Sequence, residues 1–230
     1  MLLSAAGLDS KNGDFNLDIV WKAYTLTPYD YPGKALPSTF SQVLFYALAD
    51  VPHPEKLTYT WIMDDSSSTR DGPELSGVGK DRFALVTFQI PEFTHQLRLI
   101  VRDENTGKSA STAVELNTVQ PEADLYLENN NNFNSLAADT INFAPGANSS
   151  LMARLFYFNA LSPDSLDFKW YLNDAAQDIT SARKEIIPLN ITDRIPAGSQ
   201  VRQRLDITNP KTKNDVFQRA SVKSNIFVTQ

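Results

Sequence analysis

Two stretches of this chain, 109 residues apart, spell out the same strand. Leu57-Thr-Tyr-Thr-Trp61-Ile-Met-Asp-Asp65 aligns with Leu166-Asp-Phe-Lys-Trp170-Tyr-Leu-Asn-Asp174, each with an apolar residue at alternate positions and a tryptophan at its centre. A second pair, Leu99-Ile-Val-Arg-Asp103 and Leu205-Asp-Ile-Thr-Asn209, repeats at an offset of 106 residues. A near-constant offset carried by separate strands marks an internal duplication. The 230 residues therefore divide into two domains, and each must be a fold that about 100 residues can specify.

The period within each half is two. Leu17, Ile19, Trp21 and Ala23 fall on one face with Asp18 and Lys22 opposite, and Val43, Phe45, Ala47 and Ala49 follow after a proline-rich loop. Tyr59, Trp61 and Met63, the run from Arg82 to Ile90, Leu97 to Val101, and Ala110 to Leu116 complete the first set. Leu125 and Leu127, Leu151 to Phe158, Phe168 to Leu172, Arg183 to Leu189, Val201 to Ile207, and Val222 to Val228 repeat it. Strict alternation over short runs is the signature of half-buried strands. No stretch carries an apolar stripe at helical spacing with caps, so helix content is expected to be very low. Pro121 stops the last strand of the first half, which places the boundary at residues 119–120. The expected organisation is a flexible tail over 1–14, a sandwich over 15–119 and a second sandwich over 120–230. About seven short strands per half fits an immunoglobulin-like sandwich, all-β, with Trp61, Trp170, Leu99, Val101, Leu205 and Ile207 in its cores.

Composition removes several chemistries. With no cysteine there is no disulfide to brace the sheets, no thiolate metal site and no thiol nucleophile. A net charge of -6 without a basic tract lacks the footprint that non-specific nucleic-acid binding requires. No run approaches the 18 or so apolar residues that span a bilayer. The small residues near Met1 resemble the tail of an export signal, but a frayed terminus explains them better.

The run Leu97-Arg-Leu-Ile-Val-Arg-Asp103-Glu-Asn-Thr-Gly107 resembles the sixth-strand signature of PKD domains, an alternating strand closed by Asp and a glycine turn. In the second half Asn209-Pro210 stands where Asp and Gly are usual. With Asp18-Ile-Val-Trp21 and Tyr31-Pro-Gly-Lys-Ala-Leu-Pro37, the whole chain is similar to exported bacterial tandem PKD/Ig-like proteins. That resemblance implies a periplasmic, cell-surface or secreted β protein that is not an enzyme.

Candidate sites are few. Asp64, Asp65 and Asp71 offer the hard oxygen ligands that calcium prefers, in a loop without the spacing of a calcium motif; a solvated strand connection fits better, and no other cofactor or metal is expected. Tyr29 and Tyr31, with Trp21 and with Tyr24 and Phe93 as further members, form a candidate aromatic platform for a sugar or a protein partner, although rings that cover one open end of the sandwich, on a loop stiffened by Pro28 and Pro32, fit better. The polar run Asn129–Asn132 reads as a loop, and Asn148-Ser-Ser150 and Asn190-Ile-Thr192 match glycosylation acceptors. His53 and His95 have no nucleophile or metal-ligand partner at a recognisable spacing. Leu44, Tyr46 and Leu48 make the outer face of their strand apolar, as for a strand packed on both sides or one paired with another chain. The expected function is a non-catalytic exported or envelope module acting as spacer, scaffold or protein-interaction pair. The alternatives are a carbohydrate-binding accessory module and a component of an envelope or pilus-like assembly, with envelope proteins or surface polysaccharide as partners.

Overall fold

The computed structural model describes residues 12–65, 71–86, 94–129, 132–136, 140–179, 182–192, 194–211 and 218–229; side chains of 12, 64, 65, 71–74, 85, 86, 129 and 132–136 are outside the description. The chain is all-β, its described helices being two single 3-10 turns, Pro54–Lys56 and Pro163–Ser165, themselves 109 residues apart. No helix among the described residues is long and apolar enough to cross a membrane. Two compact units form. The first holds the residues through Tyr24 together with Gly33–Val119, and the second holds Gln120–Gln230 together with Thr25–Pro32.

In the first unit the strands are β1 (Asn12–Gly13), β2 (Leu17–Ala23), β3 (Gln42–Ala49), β4 (Thr58–Asp65), β5 (Asp71–Val78), β6 (Arg82–Val86), β7 (Thr94–Arg102) and β8 (Ser109–Asn117). One sheet has the order β2-β3-β6 and the other β1-β8-β7-β4-β5, with every neighbouring pair antiparallel. The chain crosses between the sheets after β1, β3, β5 and β6, the connectivity of an immunoglobulin-like sandwich. The alternation dictates what fills the space between. Val43, Phe45 and Ala47 from one sheet meet Tyr59, Trp61, Met63, Leu97, Leu99 and Val101 from the other. Each of the large side chains among them contributes about 1.5–3 kcal/mol on burial, and without a disulfide this packing carries the unit. Residues 12–14 are not a free tail here. β1 pairs with β8, and the Asp14 N–H and carboxylate bond the backbone of Ser109.

The second unit contains β9 (Glu122–Asn129), β10 (Asn132–Leu136), β11 (Thr140–Phe143), β12 (Asn148–Phe156), β13 (Asp167–Leu172), β14 (Ala175–Gln177), β15 (Ile186–Asn190), β16 (Gln200–Thr208) and β17 (Arg219–Val228). Its sheets are β10-β9-β12-β15 and β11-β17-β16-β13-β14, the one parallel pair being β11 with β17 among the described strands. The duplication is visible in detail. Trp61 and Trp170 are both fully buried, and each indole N–H donates to a lysine carbonyl, Lys80 at 2.8 Å and Lys184 at 2.9 Å. Leu99, Val101, Leu205 and Ile207 lie at 0% exposure around them. The ends of β7 and β16 differ. Asp103 accepts from the Asn105 N–H and the Thr106 hydroxyl in an exposed turn, bonds that hold its carboxyl below the usual range. Its counterpart Asn209 is buried, its amide donating to the Asn159 carbonyl and to the Gln218 side chain.

Candidate functional site

The segment Thr25–Pro32, read from the sequence as a loop of the first sandwich, packs on the second unit. The cause lies at the end of β12. The apolar run Leu155-Phe-Tyr-Phe158 breaks the alternation, and Tyr157 takes a left-handed backbone with φ 65°. A non-glycine residue in that region is uncommon and marks a local irregularity in the strand. Both Tyr157 and Phe158 are buried, at 8% and 0% exposure, Phe158 as part of the second core and Tyr157 against Phe156 and Tyr31. Beyond this bulge the backbone of β12 needs a new partner, because a buried N–H left unpaired costs about 1–3 kcal/mol. Leu26 supplies it in an antiparallel bridge: its N–H donates to the Phe158 carbonyl at 2.7 Å, and its carbonyl accepts from the Tyr157 N–H at 2.7 Å.

Two residues on, the segment turns. Proline presets the backbone at Pro28, and the Tyr31 N–H closes a tight turn onto the Pro28 carbonyl at 3.1 Å. Beyond the turn's tip both flanking side chains are held. Arg154 Nη1 donates to both carboxylate oxygens of Asp30, at 3.1 and 2.9 Å, and its guanidinium lies 4.1 Å from the centre of the Tyr126 ring. Tyr31 meets Phe156 and Tyr157 edge-on, at centroid distances of 5.5 and 6.3 Å, and its hydroxyl shares a 2.7 Å hydrogen bond with that of Tyr157. Burial, then the Tyr31 contact, pushes the Tyr157 hydroxyl well above the ordinary tyrosine range. Tyr29, at the tip between these anchors, is fully exposed at 101%.

Of the proposed aromatic residues, the structure thus brings Tyr31 into packing contact and leaves Tyr29 free. Trp21 belongs to the first unit, where the Lys34 ammonium sits 3.2 Å from its ring centre. Burial lowers the pKa of that lysine. The Tyr24 ring, 43% exposed, has Lys22 Nζ 5.2 Å from its centre, and Phe93 lies outside the described residues. The candidate calcium loop is likewise undescribed over 66–70 and in the side chains of Asp64, Asp65 and Asp71. Among the described residues no three histidine, aspartate or glutamate side chains assemble into a possible metal site. His53 pairs with Glu55 at 3.2 Å on the surface, and His95 is buried on the core side of β7. Asn148 and Asn190, the two glycosylation acceptors, are exposed cross-strand partners on β12 and β15. β3 is the central strand of its sheet, with Leu44 and Tyr46 half-buried and Leu48 exposed on the outer face.

Arg154, Tyr126 and Tyr157 escaped the sequence reading. The one available signal was the four-residue apolar run at Leu155–Phe158, which a regular strand with one wet face does not contain. The first unit adds a groove of about 470 Å3 in which Asp18, Asp50, Glu55 and Asp81 surround Tyr59. Burial, with the charges of Asp81 and Glu55 adding to it, raises the pKa of Tyr59.

No protein-family model matches this chain, and no curated protein sequence matches it. Among solved structures, the chain is similar to the three N-terminal domains of the Highly Immunogenic Outer Capsid protein (Hoc) of bacteriophage RB49, with TM-score 0.48 and 14% identity over 94% of this chain and 59% of that one. It is also similar to the FN1-FN3 domains of chicken CNTN1, with TM-score 0.31 and 10% identity over 91% of this chain and 69% of that one. The chain thus spans less than two thirds of the phage structure. Its own strand order defines what it is in fold: a tandem pair of immunoglobulin-like β-sandwiches.

Proposed function

We propose that this chain is a non-catalytic, exported or envelope-associated module whose two sandwiches act as spacer and protein-interaction domains, with Tyr29 as the contact residue. The presentation of Tyr29 carries the reading. A large aromatic ring is held out in solvent on a turn whose neighbours are fixed by the Leu26 bridge, the Asp30–Arg154 pair and the Tyr31–Tyr157 bond. Aromatic anchors of this kind dominate protein interfaces, and a backbone ordered in advance reduces the entropy lost on binding. The exported location rests on the sequence resemblance to exported PKD/Ig-like proteins. The reading calls for no cofactor.

A protein partner is favoured over a carbohydrate because two of the other candidate rings are occupied. Tyr31 is in T-shaped contact with Phe156 and Tyr157 and bonded through its hydroxyl to Tyr157, and Trp21 carries Lys34 on its face. A sugar platform needs flat rings with free faces. The test is retention of envelope proteins on the immobilised chain compared with its Tyr29→Ala variant. Selective loss of a retained protein at unchanged melting temperature supports the reading. Equal retention by both, or loss of stability in the variant, overturns it. Binding of a glycan array by the wild type alone would favour the carbohydrate module instead.

A further inference from the structure

The second unit borrows part of its first strand. In the first unit β2 runs along β3 as far as the pair Leu17↔Ala49, and beyond it the Asn16 carbonyl accepts from the Asp50 N–H. In the second unit β9 runs along β12 only as far as Glu122↔Phe156, preceded by Pro121, which has no N–H to give. The residue equivalent to Ala49 is Phe158. Both carbonyls accept from the N–H two residues on, Val51 and Ala160, and both precede the 3-10 turns that lie 109 residues apart. Tyr157 is then the extra residue of the bulge, and the partner of Phe158 is Leu26, standing where Leu17 stands in the first unit.

We propose that the end of β12 is a peptide-accepting site, filled in this chain by its own residues 25–32. Its ligand class is a peptide that enters extended at a leucine and then turns at a proline, with aspartate and tyrosine four and five residues after the leucine. The leucine, the aspartate and the tyrosine each have a dedicated receiver. Main-chain bonds to Tyr157 and Phe158 add the peptide to the sheet, and the Leu26 side chain packs on the second core. Arg154, only 16% exposed and stacked on Tyr126, reads the carboxylate; Tyr157 with Phe156 reads the tyrosine. This is strand addition to a sheet edge, where the backbone supplies affinity and side-chain pockets supply selectivity. Because the occupant is tethered, it competes at a high effective concentration, about millimolar for short linkers, so the intact chain resists exchange with free peptide.

The experiment uses the full chain. A triple variant, Leu26→Ser with Asp30→Ala and Tyr31→Ala, is mixed with a fluorescein-labelled peptide of sequence Thr-Leu-Thr-Pro-Tyr-Asp-Tyr-Pro, and fluorescence anisotropy is followed. The folded triple variant is expected to bind saturably and at least tenfold more tightly than the wild type. Adding Arg154→Glu is expected to weaken that binding at least tenfold. A folded triple variant that takes up no peptide, or that binds no better than the wild type, overturns the proposal. Should the triple variant fail to fold, Asp30→Ala alone decides by amide exchange. The Leu26 and Tyr157 amides, the two bonds of one bridge, should speed up together at least tenfold while those of β4 and β7 do not change. Independent or unchanged exchange at the two amides overturns the proposal equally.

Discussion

The hydroxyls of Tyr31 and Tyr157, 126 residues apart in sequence, share one hydrogen bond of 2.7 Å. Both rings are packed where they meet. Tyr31 is wedged edge-on between Phe156 and Tyr157, and Tyr157 is fixed by the strained backbone at which β12 ends.

Removing that bond should be measurable and modest. Tyr31→Phe keeps the ring contacts and is expected to lower the stability of the second unit by about 1 kcal/mol. In urea unfolding, the cycle with Tyr157→Phe should give a coupling of about 0.5–1 kcal/mol. Strict additivity of the two single changes would show that the bond contributes nothing.

The same pair sets a response to alkali. The folded state holds the Tyr157 proton above the ordinary value of 10.0, chiefly because burial disfavours the phenolate. Its stabilising contribution is therefore complete below pH 10 and is lost as pH rises beyond it, since the unfolded chain releases the proton first. Chemical denaturation between pH 9 and pH 11 should show a decline in second-unit stability that Tyr157→Phe makes shallower. Identical slopes for the two proteins would contradict this.

The two tryptophans should act separately. Each fills its own core and donates to its own lysine carbonyl, so Trp61→Phe and Trp170→Phe each remove buried volume and leave a carbonyl without its indole. Each should cost its unit about 2–3 kcal/mol, somewhat less than truncation to alanine. Amide exchange should accelerate in β4 and β7 for the first variant and in β13 and β16 for the second. Acceleration throughout both units from either change would show that the cores are not independent.

Gly13 tests the anchoring of residues 12–14. A Cβ at that position would come within 2.5 Å of Ala110. Gly13→Ala should therefore detach β1 from β8 and destabilise the first unit by about 1–3 kcal/mol, with faster exchange at the amides of Asp14 and Ser109. A variant as stable as the wild type would show that β1 pairing is incidental.

What the sequence by itself determined was the repeat and the inward face of each strand. Alternation in Leu97-Arg-Leu-Ile-Val specifies which side chains face the core, because side chains on a strand point to opposite sides at each step, and the 109-residue echo of Trp61 in Trp170 divides the chain in two. Those are local properties of consecutive residues. The tertiary structure alone decided where Leu26, Asp30 and Tyr31 belong. Nothing in Thr25–Pro32 marks it for the second sandwich, because its fit depends on an edge created where Tyr157 bulges and β9, preceded by Pro121, starts only at the pair Glu122↔Phe156. Hydrogen-bonding groups at the end of a strand take whichever chain the fold brings within reach, and that is a property of the assembled sheet, not of either sequence segment.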